Sequence, residues 1–242
     1  ARTLPCWYQY WKESWQHGEV IVFVLGIGEA GKNIASLVPQ ISNLKAICVD
    51  TDGVVPKKKT HEQYEKCGPA VFKKLKLPKD KDVTVVLSGA GKVSAITLSL
   101  LEKIKDRNIT VVFIDPDPFM LSKTQKMQNK VVFNVLQEYA RSGLFEAMYI
   151  FSNKSVEDIV GASSISNMYE KINSTVANFI ASLYWFENID PVIGSTHEPK
   201  DISRIRTVAL CEVYDEKEQM FYDLENTTEA SFYYSASEDF IE

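Results

Sequence analysis

The sequence predicts an α/β protein: a parallel sheet with helices on both faces, a long core helix and a small β-rich C-terminal region. Three observations lead there. Apolar, β-branched runs of strand length alternate with segments of helical period, the signature of a parallel sheet covered on both sides. The predicted strands end in GIGEAGKN, VDTDG, LSGAGK, IDPDPF and FSNKS, all rich in Gly, Asp, Asn, Ser or Pro. Ligands of open parallel sheets sit at such carboxyl ends. Finally, the character of the chain changes after Asp190-Pro191, where short strand-like runs replace the helical ones.

In order, residues 1–18 read as an N-terminal aromatic helix or arm. Trp7, Trp11 and Trp15 recur every fourth position and share one helical face, suited to packing on the domain or docking a partner. Val20 to Leu25 is the first strand, residues 33–42 a helix and Leu44 to Val49 the second strand. The lysine-rich stretch from Lys57 to Lys81 reads as a solvated surface. Val83 to Leu87, Ile109 to Ile114 and Ala147 to Phe151 are further strands, with helices over Ser94 to Lys105 and residues 122–142. A long helix spans Ser164 to Phe186. Thr207 to Tyr214, Gln219 to Tyr222 and Ser231 to Tyr234 read as strands, followed by an acidic tail. The predicted divisions are 1–18, an α/β domain with its core helix over 19–194, and a reduced C-terminal subdomain over 195–242.

Composition excludes some functions. The chain has 242 residues, 45% hydrophobic and 24% charged, with a formal net charge of −5. That charge disfavours nucleic acid as the main partner, which usually requires a basic face. No run reaches the length of a membrane span, and the first residues lack a secretion-signal pattern. Cys6, Cys48, Cys67 and Cys211 lie far apart without a CxxC pair, so neither a zinc site nor a disulfide frame is indicated. A cytoplasmic location is expected, without a membrane partner.

The octet Gly26-Ile27-Gly28-Glu29-Ala30-Gly31-Lys32-Asn33 carries the functional question. Gly26, Gly31 and Lys32 fit the Walker A pattern, but Asn33 stands where a Mg²⁺-binding hydroxyl belongs. Gly26, Gly28 and Gly31 fit the dinucleotide pattern, and Asp50 lies where an acid would hold a ribose. The octet also resembles the first loop of the tubulin and FtsZ family, G-x-G-[GA]-x-G-x-N, departing at Glu29. In each pattern, glycines let backbone N–H groups reach phosphate oxygens at a helix start.

The downstream order resembles that family over residues 19–194. VDTDG, with Asp50 and Asp52, is similar to its N-T-D loop, and DPDPF (115–119) to its T-K-P-F loop. SNKSVEDIVG (152–161) is similar to PNDRLLEIVG. Tyr169 and Asn173 stand four apart on the predicted core helix, where the family stacks an aromatic on guanine and hydrogen-bonds the base. The resemblance implies GTP or GDP as ligand, with or without Mg²⁺, and self-association into a homo-oligomer or filament. By the same resemblance the nucleotide-binding residues are Gly26, Gly28, Gly31, Asn33, Asp50, Asp52, Gly89, Gly91, Asn153, Tyr169 and Asn173; Lys32 and Lys92, which the family pattern lacks, are added as charged candidates for phosphate contact, with a solvent-facing Lys92 as the alternative.

Departures concern catalysis. The family's glycine-rich signature loop becomes Ser88-Gly89-Ala90-Gly91-Lys92-Val93-Ser94, where Lys92 adds a charge that tolerates looser geometry. The family's ribose-holding Glu and its following Arg align with Ser122 and Lys126. In the family's N-x-D-x-x-[DE] loop, which enters the next subunit's site, the second acid helps position the attacking water. Here Asn188-Ile189-Asp190-Pro191-Val192-Ile193 keeps Asp190 as the candidate catalytic acid, and Ile193 replaces the second acid. An alkyl group neither orients water nor accepts a proton. Weak or absent GTP hydrolysis is therefore expected, unless Glu198 or Asp201 substitutes. Two other readings stay open: a structural or adaptor protein that has lost the nucleotide, and a Rossmann-type dinucleotide enzyme.

Overall fold

A computed structural model describes residues 22–49, 82–91, 93–161, 165–188, 190–191, 194–195, 200–212 and 215–233. The aromatic arm, the lysine-rich stretch, Asp50, Asp52, Lys92, Ile193 and Glu198 lie outside the described residues.

A six-stranded parallel sheet forms the centre. It contains β1 (Phe23–Ile27), β2 (Lys45–Val49), β3 (Asp82–Ser88), β4 (Asn108–Asp115), β5 (Ala147–Ser152) and β6 (Ile205–Arg206), in the spatial order β2-β1-β3-β4-β5-β6. The helices are α1 (Gly28–Ile41), α2 (Ser94–Lys103), α3 (Lys123–Arg141), α4 (Asn153–Val160) and α5 (Ile165–Asn188). The antiparallel pair β7 (Ala209–Glu212) and β8 (Asp215–Met220) stands apart from the sheet ladder.

Side chains along each strand alternate between two faces, and two apolar cores follow. On one face Leu25, Val85, Val111 and Ile150 pack with Ile96, Leu100 and Leu101 of α2 and Val132 and Leu136 of α3. On the other, Val24, Val86, Val112 and Phe151 pack with Ile34 and Val38 of α1, Val156 of α4 and Ile172, Val176 and Ile180 of α5. Strands buried on both sides must be near-continuously apolar, which is why these runs stand out in the sequence.

The observed elements differ from the expected ones in instructive ways. The octet forms no free loop. Gly26 and Ile27 close β1, and α1 starts at Gly28, whose φ of +72° turns strand into helix within one residue. α4 lies outside the expected helices; its apolar stripe is short, with Val156 buried and Ile159 and Val160 half-buried against the same core. β6 joins the edge of the main sheet beside β5. β8 begins four residues before the expected Gln219, in the charged run Asp215-Glu216-Lys217-Glu218. An exposed two-stranded ribbon has little apolar face to reveal. Residues 231–233 form no strand.

The chain on either side of β6 closes the sheet edge rather than standing off from it. Met148 N–H donates to the Arg204 carbonyl (2.7 Å), and Ser152 N–H donates to the Phe221 carbonyl (2.8 Å). Phe221 inserts its ring beside Phe151, with centroids 5.6 Å apart.

Candidate functional site

β1 lies between β2 and β3 in the sheet. α1 leaves β1 towards one face, and α2 follows β3 on the other. The carboxyl ends of β1 and β3 are therefore a topological switch point, where diverging helices open a crevice. Gly28 and the loop after Ser88 both lie there. A Cβ on Gly28 would stand 3.6 Å from the Cβ of Val93, so the starts of α1 and α2 adjoin.

Neither start is capped by a side chain; Ile27 and Val93, at the cap positions, have no hydrogen-bonding side-chain group. At α2 the Ser94 and Ile96 N–H groups already donate to the Gly91 and Val93 carbonyls, at 3.1 and 2.9 Å, so an anion would be drawn there chiefly by the helix dipole, and at α1 by the dipole together with first-turn N–H groups that no side chain caps. The starts of α3 and α4 differ. Ser122 forms a capping box with Gln125 (Gln125 N–H to Ser122 Oγ, 3.3 Å; Ser122 N–H to Gln125 Oε1, 3.0 Å). Ser152 Oγ accepts from Ser155 N–H at 3.2 Å. The hydroxyl of Ser122, aligned with the family's ribose-holding acid, is thus engaged in helix capping.

The glycines have separate tasks. A Cβ on Gly31 would meet the Val86 carbonyl oxygen at 2.2 Å, and one on Gly26 would meet the Gly31 carbonyl oxygen at 2.3 Å. These two let α1 lie directly on β1 and β3. Gly91 has nothing within 4 Å of such an atom and faces open space. Asn33 is exposed, Glu29 likewise points outward, and Lys32 is half-buried with its carbonyl near Cys48 Sγ (3.7 Å).

Asn153 opens α4 at the carboxyl end of β5, half-buried. Tyr169 and Asn173 flank buried Ile172 on α5; Tyr169 is 50% exposed and Asn173 half-buried. The apolar cluster beneath them joins α1, α4 and α5, so these candidates share one side of the sheet with the octet. Asp190 lies elsewhere. α5 ends at the amino edge, where Asn188 borders a cleft with Val22, Asp82 and Asn108 at the strand starts. Asp190, exposed just beyond, is at the opposite edge from the glycines. Asp201 pairs with Arg204 at 3.2 Å.

Sequence reasoning missed a polar network under the β3 loop. Gln128 Nε2 on α3 has two N–H bonds for three acceptors: it donates to Ser94 Oγ (2.5 Å) and the Gly91 carbonyl (2.6 Å), and shares one hydrogen with the Gly89 carbonyl at 3.3 Å. Asn129 Nδ2 donates to Asp115 Oδ1 at 2.8 Å. The link joins residues far apart in sequence, and only the polar QN pair inside an otherwise periodic helix hints at it.

Burial holds the Asp115 carboxyl above its ordinary 3.8, and the Asn129 bond pulls it the other way. The folded chain therefore binds this proton more tightly than the unfolded chain. The ionised carboxylate disfavours folding at neutral pH, and that cost fades as pH falls from the folded pKa towards 3.8. Asp115→Asn keeps an oxygen for Asn129 and removes the titration. Wild-type stability relative to this variant is expected to rise on acidification through that window. Urea unfolding at stepped pH checks it; a relative fall contradicts it.

Among the described residues, no group of three or more His, Cys, Asp or Glu side chains is placed to hold a metal ion. Among them too, no helix is long and apolar enough to cross a membrane.

No family model and no curated protein matches the sequence. Solved structures do match. FtsZ from M. jannaschii, in an empty dimer, superposes with a TM-score of 0.55 at 15% identity, covering 79% of this chain and 62% of that one. CetZ2 from Haloferax volcanii, a GTPγS-bound protofilament, gives 0.51 at 16% identity, covering 68% and 58%. The chain thus spans about six-tenths of the length of these structures. At such identity the likeness is one of fold: the parallel sheet and its helices are arranged as in these FtsZ and CetZ2 structures.

Proposed function

We infer that this protein binds a guanine nucleotide at the switch point between β1 and β3 and hydrolyses it weakly or not at all. One observation carries the reading: two uncapped helix starts, α1 and α2, adjoin at Gly28 and Val93. The donor set suits phosphate, since backbone N–H groups and the side chains of Lys32 and Lys92 supply positive potential without a metal cage. Any Mg²⁺ would depend chiefly on the phosphates for its ligands. Gly26 and Gly31 set the bed of α1, Gly28 and Gly91 keep the backbone accessible, and buried Gly89 lets the loop sit against Asn129 of α3. Asp50 and Asp52 are the proposed ribose-side acids. Asn33 and Asn153 approach the nucleotide, while Tyr169 stacks on the base and Asn173 bonds its edge. The GTPγS recorded with CetZ2 supports the choice of nucleotide.

Asp190 belongs at the far edge of its own chain, so its proposed catalytic role requires the nucleotide of another copy. Self-association into an oligomer or filament is part of the reading, and the protofilament of CetZ2 supports it. A surface is at hand: Phe119 and Met120 are 92% and 70% exposed, and Met127 and Val131 on α3 are 65% and 55% exposed. Apolar exposure of this kind suits a protein contact.

Base stacking on one aromatic is worth about 1–3 kcal/mol. Tyr169→Ala is therefore expected to weaken GDP binding roughly 5- to 150-fold, while Tyr169→Phe stays near wild type. Tyr169 is half-exposed, so neither substitution should move the melting temperature much. Equal GDP affinity for wild type and Tyr169→Ala, by titration calorimetry, would remove Tyr169 from the site. A preference for ADP or NAD over GDP in wild type would sink the guanine assignment itself.

A further inference from the structure

We propose that Gln128 is a positioning residue: it orients the β3 loop so that backbone N–H groups, not carbonyls, meet the phosphates. The inference rests on the nucleotide reading above and adds a residue that no glycine pattern contains.

The geometry begins with acceptors. The loop Ser88 to Ser94 offers carbonyl oxygens as well as N–H groups, and a carbonyl turned towards a phosphate repels it. Gln128 Nε2 engages the two glycine carbonyls, Gly91 at 2.6 Å and Gly89 at 3.3 Å. Ser94 reinforces the hold, since its Oγ and its N–H both donate to the Gly91 carbonyl, at 2.6 and 3.1 Å. The Gly91 oxygen is thereby committed to protein donors.

Direction follows from peptide geometry. No peptide bond among the described residues is cis. In a trans peptide the C=O and the next residue's N–H point opposite ways. With the Gly89 carbonyl drawn towards α3, the Ala90 N–H turns away from α3. α3 and α1 cover opposite faces of the sheet. The Ala90 N–H is thus turned towards the side on which α1 starts, the side an anion on that start would occupy.

The clamp is itself held in place. Asn129, the next residue, lies against Gly89 so closely that a Cβ there would meet its Oδ1 at 2.5 Å and its Cα at 3.0 Å. Asn129 is fixed in turn to Asp115 at the end of β4, at 2.8 Å. The Ser122–Gln125 capping box sets where α3 begins. Gln128 therefore approaches the loop from a rigid helix, and the missing side chain at Gly89 makes the approach possible.

The test compares GDP with guanosine, which shares the base and ribose but carries no phosphate. Gln128→Leu removes the donor at similar size. Gln128→Glu keeps the shape and turns the donor into an acceptor facing two carbonyls. GDP affinity should fall about 10-fold in Gln128→Leu, as expected for one lost hydrogen-bonding group, and further in Gln128→Glu. Guanosine affinity should stay near wild type in both, while the melting temperature falls modestly in Gln128→Leu and further in Gln128→Glu because the loop carbonyls lose their donor. Equal GDP affinity in wild type and both variants overturns the inference. So does a parallel loss of GDP and guanosine, which would mark Gln128 as a fold residue only. Failure of wild type to bind GDP overturns the nucleotide reading, and this inference with it; it is told apart because it shows before any variant is made.

Discussion

Phe221→Ala is expected to cost about 3–5 kcal/mol of stability, the usual range for emptying a buried phenylalanine site. Phe221 is 1% exposed and shares a core with Phe151, Val156, Ile172 and Val176. Its N–H donates to the Val208 carbonyl at 2.9 Å, and its carbonyl accepts from Ser152 at 2.8 Å. The loss therefore removes a ring from the α5-side core and loosens the strand end that carries Asn153. Weaker GDP binding should accompany the lower stability. Tyr222→Ala is the comparison, because Tyr222 is half-buried on the other face, 6.5 Å from Phe133 between ring centroids. Urea unfolding reads both; a loss below about 1 kcal/mol for Phe221→Ala would mean that residues 200–222 are not part of the domain's core.

Gly31→Val is expected to destabilise by about 3 kcal/mol, the upper part of the range for overpacking. The first atom of any side chain there meets the backbone oxygen of Val86 at 2.2 Å, and backbone does not swing aside as a side chain tip does. Relief requires α1 to lift from β3. That movement also shifts Gly28 away from Val93 and separates the two helix starts, so phosphate affinity should fall even in protein that remains folded. Gly91→Ala is the control: with open space around it, its stability should stay within about 0.5 kcal/mol of wild type. Thermal unfolding separates them, at roughly 2–4 °C per kcal/mol for a chain of this size. A stable Gly31→Val protein with unchanged GDP affinity would show that close seating of α1 is not what shapes the site.

Much of the sheet was legible because burial on both faces forces continuous apolar runs. β3, β4 and β5 fall within a residue or so of the expected Val83–Leu87, Ile109–Ile114 and Ala147–Phe151. α3 and α5 were legible by their period. Legibility failed where burial is one-sided or absent. α4 buries only Val156. β6 is a two-residue edge strand, held by neighbours rather than by its own composition. The start of α1 was placed too late because glycines read as loop, whereas here Gly26 and Gly31 serve contact between helix and strand.

The site divides the same way. The loops at the carboxyl ends of the strands, and the ordered resemblance to the tubulin and FtsZ family, could be read along the chain, and the fold agrees with them. The Gln128–Asn129–Asp115 network could not, because it links separate elements through side-chain amides whose partners only the folded chain brings near.

The central claim is that the switch point between β1 and β3 holds a guanine nucleotide. Its most direct test is titration of the purified, nucleotide-stripped protein with GDP, GTP, ADP and NAD, followed by calorimetry. The account predicts saturable binding of GDP and GTP, one per chain, with ADP and NAD much weaker. Absence of guanine nucleotide binding in folded protein, or tighter binding of NAD, would contradict it.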